Sequence, residues 1–194
     1  MKVLFAAAAT LALGGCATLP PAKASERFFD RLQSLCGRAF TGRLVSQDAA
    51  DAAFRDQPLV MHVRDCRTDE IRIPFHVGDD RSRTWVVTRT SRGLRLKHDH
   101  RQRDGSADDL TMYGGNGSPA GTIARQLFPA DAESIALFTR TGRTVSNSNV
   151  WALEVSPTRF AYELRRPPGP GERFFRVEFD LSAAAPTPPP PWGW

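Results

Sequence analysis

The chain lacks an apolar run long enough to cross a membrane as a helix: its one extended apolar stretch, residues 3–13, falls short of the ~20 residues a span needs. It also lacks the recognisable signatures of catalysis. There is no glycine-x-serine-x-glycine elbow, no His-Glu-x-x-His and no glycine fingerprint between a strand and a helix. The glycine-rich stretch 114–119 has neither the Lys-Ser/Thr end nor the following amphipathic helix of a phosphate-binding loop, so it reads as a flexible connection. Basic residues are not gathered into a stripe or tail. The net charge is a mild +5, arginine dominates it, and acids are interspersed, which argues against nucleic acid as a partner. Cysteine is scarce, and its count of 3 is odd.

What is present begins at the amino terminus. Lys2 precedes the apolar stretch, which ends in Leu13-Gly14-Gly15-Cys16, the order of a secretory signal. This segment resembles the lipobox of bacterial lipoproteins, and the resemblance implies cleavage before Cys16, lipid attachment at its thiol and anchoring in the bacterial cell envelope. Ala17 stands where some bacteria read Asp as an inner-membrane retention signal, so the same resemblance implies an outer-membrane protein facing the periplasm. The expected organisation is a signal peptide at 1–15, a lipidated tether at 16–24, one domain at 25–182 and a proline-rich tail at 183–194. Given the lipobox, Cys36 and Cys66 remain as a pair outside the reducing cytosol and are read as a disulfide. A free thiol pair or metal ligation is the alternative, without a CxxC-type spacing to recommend it.

Along the domain, Phe28, Phe29, Leu32, Leu35 and Cys36 recur at helical intervals behind a capping Ser25, which predicts an amphipathic helix closed by Gly37. From Arg38 the period becomes two. Strands are expected at residues 38–45, 59–64, 71–77, 83–90, 94–101, 149–155, 159–164 and 173–181, with Asp48 capping a short alanine-rich turn. Pro74 marks an edge, a bulge or an end of pairing. Asp104-Gly105 predicts a hairpin returning through residues 110–113, but a strict two-residue turn would put Leu110 and Met112 on the wrong face, so a bulge or a longer loop is expected. Residues 121–128 are ambiguous between strand and coil, and 131–140 reads as a helix capped by Asp131. The tail is expected to be extended and disordered, and its Trp192-Gly193-Trp194 is either a docking peptide or a resting tail.

Short half-buried strands at intervals of about ten residues predict a mainly β fold, a single antiparallel β-barrel of about 8–10 strands behind one helix. A helix, then a strand containing Gly42, then a meander resembles the calycin group, which includes lipocalins; a β-sandwich is the alternative. Alternation turns His98 and His100 inward with Leu94 and Leu96, while Lys97, Asp99, His62 and His76 point away from the core. The expected function is binding of a small apolar or amphipathic ligand without catalysis and without a cofactor. Candidate ligand-binding residues are His98, His100, Trp85 and Tyr162, with Arg43 or Arg89 gripping a carboxylate or phosphate. The competing readings are a structural or interaction lipoprotein with a filled barrel, using its outer face or its tail toward an envelope partner, and a metal-dependent enzyme built on His98 and His100. Distant acid, base and nucleophile would leave no local motif.

Overall fold

The period-two stretches become strands and wind into one sheet. The computed structural model describes residues 20–194; the signal segment, Cys16 and the start of the tether lie outside the described residues. Helix α1 (Pro21–Gln33) leads into β1 (Ala39–Leu44). A 3-10 turn (Ala49–Asp51) then runs into the short α2 (Ala52–Arg55). Strands β2 (Leu59–His62), β3 (Asp65–Cys66), β4 (Glu70–Val77), β5 (Asp80–Thr90), β6 (Gly93–His100) and β7 (Tyr113–Asn116) follow. After β8 (Arg125–Pro129) come α3 (Ala132–Arg140), β9 (Val150–Val155), β10 (Arg159–Arg166) and β11 (Arg173–Asp180).

All neighbours pair antiparallel, in the order β7-β6-β5-β4-β2-β1-β11-β10-β9-β8, with β3 added to β4. The two ends of this order meet. Ser118 N–H donates to Leu127 O (2.7 Å) and Asp131 N–H to Gly114 O (3.0 Å), so β7 and β8 draw the sheet into an up-and-down barrel. Gly114 and Gly115 make that seam possible: a Cβ on Gly115 would collide with the Pro129 carbonyl, and one on Gly114 with the Leu96 carbonyl. Residues 114–116 of the stretch expected to be a loop therefore belong to the closing strand. Glycines carry no side chain, so a strand made of them shows no alternation to read.

Pro74 falls where β4 changes partner. Residues Phe75 to Val77 pair with β2 and Ile71 and Arg72 with β3, and the residue that cannot donate sits between them. After β6 the Asp104-Gly105 turn closes with Gln102 N–H donating to Ser106 O (2.8 Å), and a single bridge joins Arg101 to Ala107. Of the predicted return at 110–113 only Tyr113 pairs, and the expected bulge precedes it. Residues 108–112 bulge out of the ladder, Met112 adopts a positive φ of 55°, and pairing resumes with Tyr113 opposite His98. This bulge leaves Tyr113 facing inward but sets it opposite His98, where a strict turn would have set it opposite Leu96.

One end of the barrel is plugged by α1, whose Phe28, Phe29 and Leu32 are fully buried against β6, β8 and β9. Each such side chain contributes about 1.5–3 kcal/mol by leaving water. The helix starts earlier than expected. Pro20 and Pro21 open it, with a proline in its first turn where no N–H is needed, and Ser25 is buried inside it rather than capping it, so the end of the expected tether is helical. Cys36, just past the helix, is bonded to Cys66 on β3, with Cα atoms 6.3 Å apart. The disulfide ties the plug to the sheet.

The tail differs most from expectation. It is docked: Ala185 N–H donates to Ala39 O (2.8 Å), Trp192 N–H to Arg81 O (3.1 Å) and the Arg81 guanidinium to Pro190 O (2.9 Å). Arg103 lies over the Trp192 ring, and Arg72 and Arg64 over that of Trp194. A polyproline segment has little conformational freedom to lose, and guanidinium–indole contacts add to the backbone bonds. Its two anchor points lie on β1 and β5. Between them, β2 and β4 carry His62 and His76, which face outward as alternation predicts but are buried rather than exposed.

The remaining outer face is cross-linked rather than simply solvated. Arg176 pairs with Glu154, Glu163 and Glu178, and Arg125 and Arg165 also reach Glu163. Burial alone would raise the Glu163 pKa, but hydrogen bonds from Arg165, Arg125 and Arg176 hold it below the usual carboxylate value. Lys97 and Asp99 also face outward yet are buried, Lys97 against Asp131 (2.7 Å) and Glu133 (3.1 Å).

Candidate functional site

At the end opposite α1 the interior is not filled. A cavity of about 150 Å³ lies there, between the far halves of the strands and α2. Its apolar wall is built from inward positions: Phe75 on β4, Trp85 on β5, Leu164 on β10 and Phe175 on β11. Phe54 on α2 closes over it, parallel to Phe75 (6.3 Å between centroids) and edge-on to Phe175 (5.0 Å). The stack continues from Phe75 to Trp85 (4.9 Å) and from Trp85 to Tyr162 (4.5 Å).

The segment that brings Phe54 into place is held by two acids. Asp48 accepts from Ala50 N–H at the start of the turn. Asp51, fully buried, accepts from Ser46 Oγ (2.6 Å) and pairs with Arg173, which Asp48 also contacts (2.9 Å). Arg173 lines the cavity, so the same ion pairs that seat α2 fix one side of the mouth. Arg83 stands on another side, paired with Asp80 (2.6 Å) and 5.5 Å from the Phe54 ring centroid.

The polar wall is a chain of rings. His98 Nδ1 lies 3.1 Å from the Tyr113 carbonyl oxygen, which can only accept, so Nδ1 carries the proton. Nε2 then accepts from the Tyr162 hydroxyl at 2.8 Å. His100 Nε2 meets the Tyr113 hydroxyl at 3.1 Å, and the Tyr113 ring stacks on that of His98 (4.7 Å). Burial pushes the His98 pKa down to about 3, helped by the neighbouring His100, and pushes His100 down to about 4, helped by Arg83. Burial also raises Tyr113 to about 12 and Tyr162 well above the usual phenol value. Near pH 7 all four rings are uncharged. They form a preorganised hydrogen-bonding surface facing an aromatic one, a combination suited to fixing the orientation of a small amphipathic molecule.

Of the residues singled out from the sequence, His98, His100, Trp85 and Tyr162 line this one cavity. Arg43 and Arg89 do not. Arg43 lies on the outer face with most of its side chain in solvent, paired with Glu178 (3.2 Å); its parity is opposite to that of Phe40 and Gly42. Arg89 shares the inward parity of Trp85 and Val87 but sits at the plugged end, where it pairs with Asp30 (2.5 Å) and covers the Phe29 ring. The arginines at the mouth are instead Arg83 and Arg173. Alternation carried their signal, since Arg83 shares a face with Trp85 and Arg173 with Phe175, but not which end of each strand stays open. The bulge before Tyr113 hid which level of β6 it meets, and Phe54 was hidden by lying on a helix of one turn.

Both ring nitrogens of His98 are engaged by the protein, so the His98–His100 pair is not arranged as a chelate. Among the described residues, no three His, Cys, Asp or Glu side chains converge in a way that would hold a metal ion. Compared with known proteins, the chain matches no family model, no curated protein sequence and no solved structure.

Proposed function

We propose that this barrel is a non-catalytic binding module for a small amphipathic ligand of roughly one ring, in a lipoprotein held at the bacterial envelope through Cys16. The observation that carries the binding reading is the cavity: about 150 Å³ between an aromatic stack and a wall of uncharged hydrogen-bonding rings. A space of that size holds a benzene-sized molecule and is below the roughly 300–1,000 Å³ of drug-sized sites. Neutral imidazoles and protonated phenols suit orientation of a ligand better than proton transfer near pH 7, which needs groups titrating there.

Trp85 lines the cavity and reports on its occupancy. Benzyl alcohol titrated into the protein is expected to change tryptophan fluorescence saturably. Leu164→Phe, which fills the space, is expected to weaken that binding about tenfold or more while leaving the circular dichroism unchanged. If neither benzyl alcohol nor similar ring-sized probes bind, the reading is lost, and an interaction protein working through its outer face or its tail takes its place.

The anchor rests on the order of the segment ending in Leu13-Gly14-Gly15-Cys16. Several acyl chains hold a protein on a membrane far better than one, so Cys16→Ser is expected to move the protein from the membrane to the soluble fraction. Metabolic labelling with a fatty acid checks the modification itself, and an unlabelled wild type would refute it.

A further inference from the structure

Two guanidiniums, Arg83 and Arg173, line the mouth of the cavity, and a third just beyond it, Arg166, has no counter-ion among the described residues. Arg83 is neutralised by Asp80, and Arg173 by Asp48 and Asp51. Arg166 stands directly opposite Arg173 in the β10–β11 ladder, on the inward side of β10, one step of about 7 Å beyond the cavity-lining Leu164. Among the described residues it closes no ion pair, and its Nε is buried without a hydrogen-bond partner. Asp48 acts on it electrostatically, but that carboxylate is bound to Arg173.

Two like charges directly opposite each other across a ladder destabilise the pair of strands. Burial, and then Arg173, lower the pKa of Arg166, and Asp48 offsets this only in part. A half-buried guanidinium whose Nε–H has no partner costs free energy that a carboxylate would recover, and its fork matches a carboxylate with two parallel bonds. Nothing among the described residues supplies that carboxylate, and the position lies one strand step outward of the cavity-lining Leu164.

From this geometry we infer that Arg166 is the anion anchor of the cavity, and that the ligand is a small aromatic carboxylate whose ring enters among Phe75, Trp85 and Phe175 while its carboxylate meets Arg166 at the mouth. This rests on the cavity being a binding site. It replaces the role expected of Arg43 or Arg89, whose guanidiniums are already bound to Glu178 and Asp30.

Benzoate and benzyl alcohol separate the two levels of the inference, because they share a ring and differ in charge. In the wild-type protein at low salt, benzoate is expected to bind about tenfold or more tightly than benzyl alcohol, with the difference shrinking as salt is added. Arg166→Gln is expected to erase that preference by weakening benzoate about tenfold and benzyl alcohol less than about twofold. It is also expected to keep or raise the thermal midpoint, since it removes a like-charge pair. Arg166→Lys, which keeps the charge but not the fork, is expected to retain part of the preference and guards against misreading a folding defect. Equal binding of the two probes, or a preference that survives Arg166→Gln, would overturn the anion anchor and leave the cavity reading standing. Binding of neither probe would overturn both.

Discussion

Lowering the pH from 7 to 5 is expected to destabilise this barrel substantially. His98 is held down to about 3, and His76 and His100 to about 4, each chiefly because burial penalises the charged ring. An unfolded histidine takes up its proton near 6.5. Between that value and about 4 the unfolded chain binds more protons than the folded one, so stability falls as the pH falls through this window. Each such residue contributes at most about 1.4 kcal/mol per pH unit, so three of them over one and a half units amount to an upper limit of about 6 kcal/mol at pH 5. That is comparable with the whole stability of an ordinary domain, about 5–15 kcal/mol. Below about pH 4 the carboxylates held under their usual values by ion pairs, Glu163 and Asp131, add losses of the same sign. Urea midpoints at pH 7, 6 and 5 measure the effect. A flat profile would mean that these rings reach water or accept protons within the fold, and the uncharged polar wall of the cavity would then not hold.

Reducing the Cys36–Cys66 bond is expected to have the second largest effect. The bond spans 30 residues and ties the end of α1 to β3, a strand of two residues that pairs only with β4. Opening a loop of this size lowers unfolding free energy by about 3–4 kcal/mol in the chain-entropy model. The loss is expected to be uneven, because α1 holds its end of the barrel by a few large side chains, Phe28, Phe29 and Leu32, and by one ion pair from Asp30. Denaturation of the Cys36→Ser, Cys66→Ser double variant measures the total. Amide exchange across 21–37 and 64–66 measures where it falls. An unchanged midpoint would mean that burial alone holds the plug, and uniformly faster exchange would mean that α1 is not a separate unit of opening.

The inward direction of His98 and His100 was legible because a strand alternates whatever its neighbours do, and Leu94 and Leu96 labelled the core side. The same reasoning already contained Arg83, which shares its face with Trp85, and Arg173, which shares its face with Phe175. It did not separate them from Arg89, which has the same parity. The difference is which end of β5 each occupies: Arg89 meets Asp30 on the helix that plugs one end, and Arg83 meets the cavity at the other. Nothing within eleven residues of a single strand states where a helix from elsewhere will rest.

By itself, then, the sequence determined the period-two strands, the helix before them, the capped turn after Asp48 and the helix after Asp131, because each depends on contacts or spacings local to the chain, whereas the pairing of Cys36 with Cys66 is read only by setting Cys16 aside as a lipid site. Tertiary structure decided the rest. The seam between β7 and β8 runs through glycines that carry no pattern, and Tyr113 meets His98 rather than Leu96 because a bulge resets its register by two residues. The tail lies on β1 and β5 because arginines from three separate segments, Arg64, Arg72 and Arg103, present guanidiniums to its indoles. Arg166 lacks a counter-ion for the same kind of reason: Asp48, which acts on it, and Asp51 are both taken by Arg173 once the strands pair, and charge compensation is settled by the fold rather than by composition.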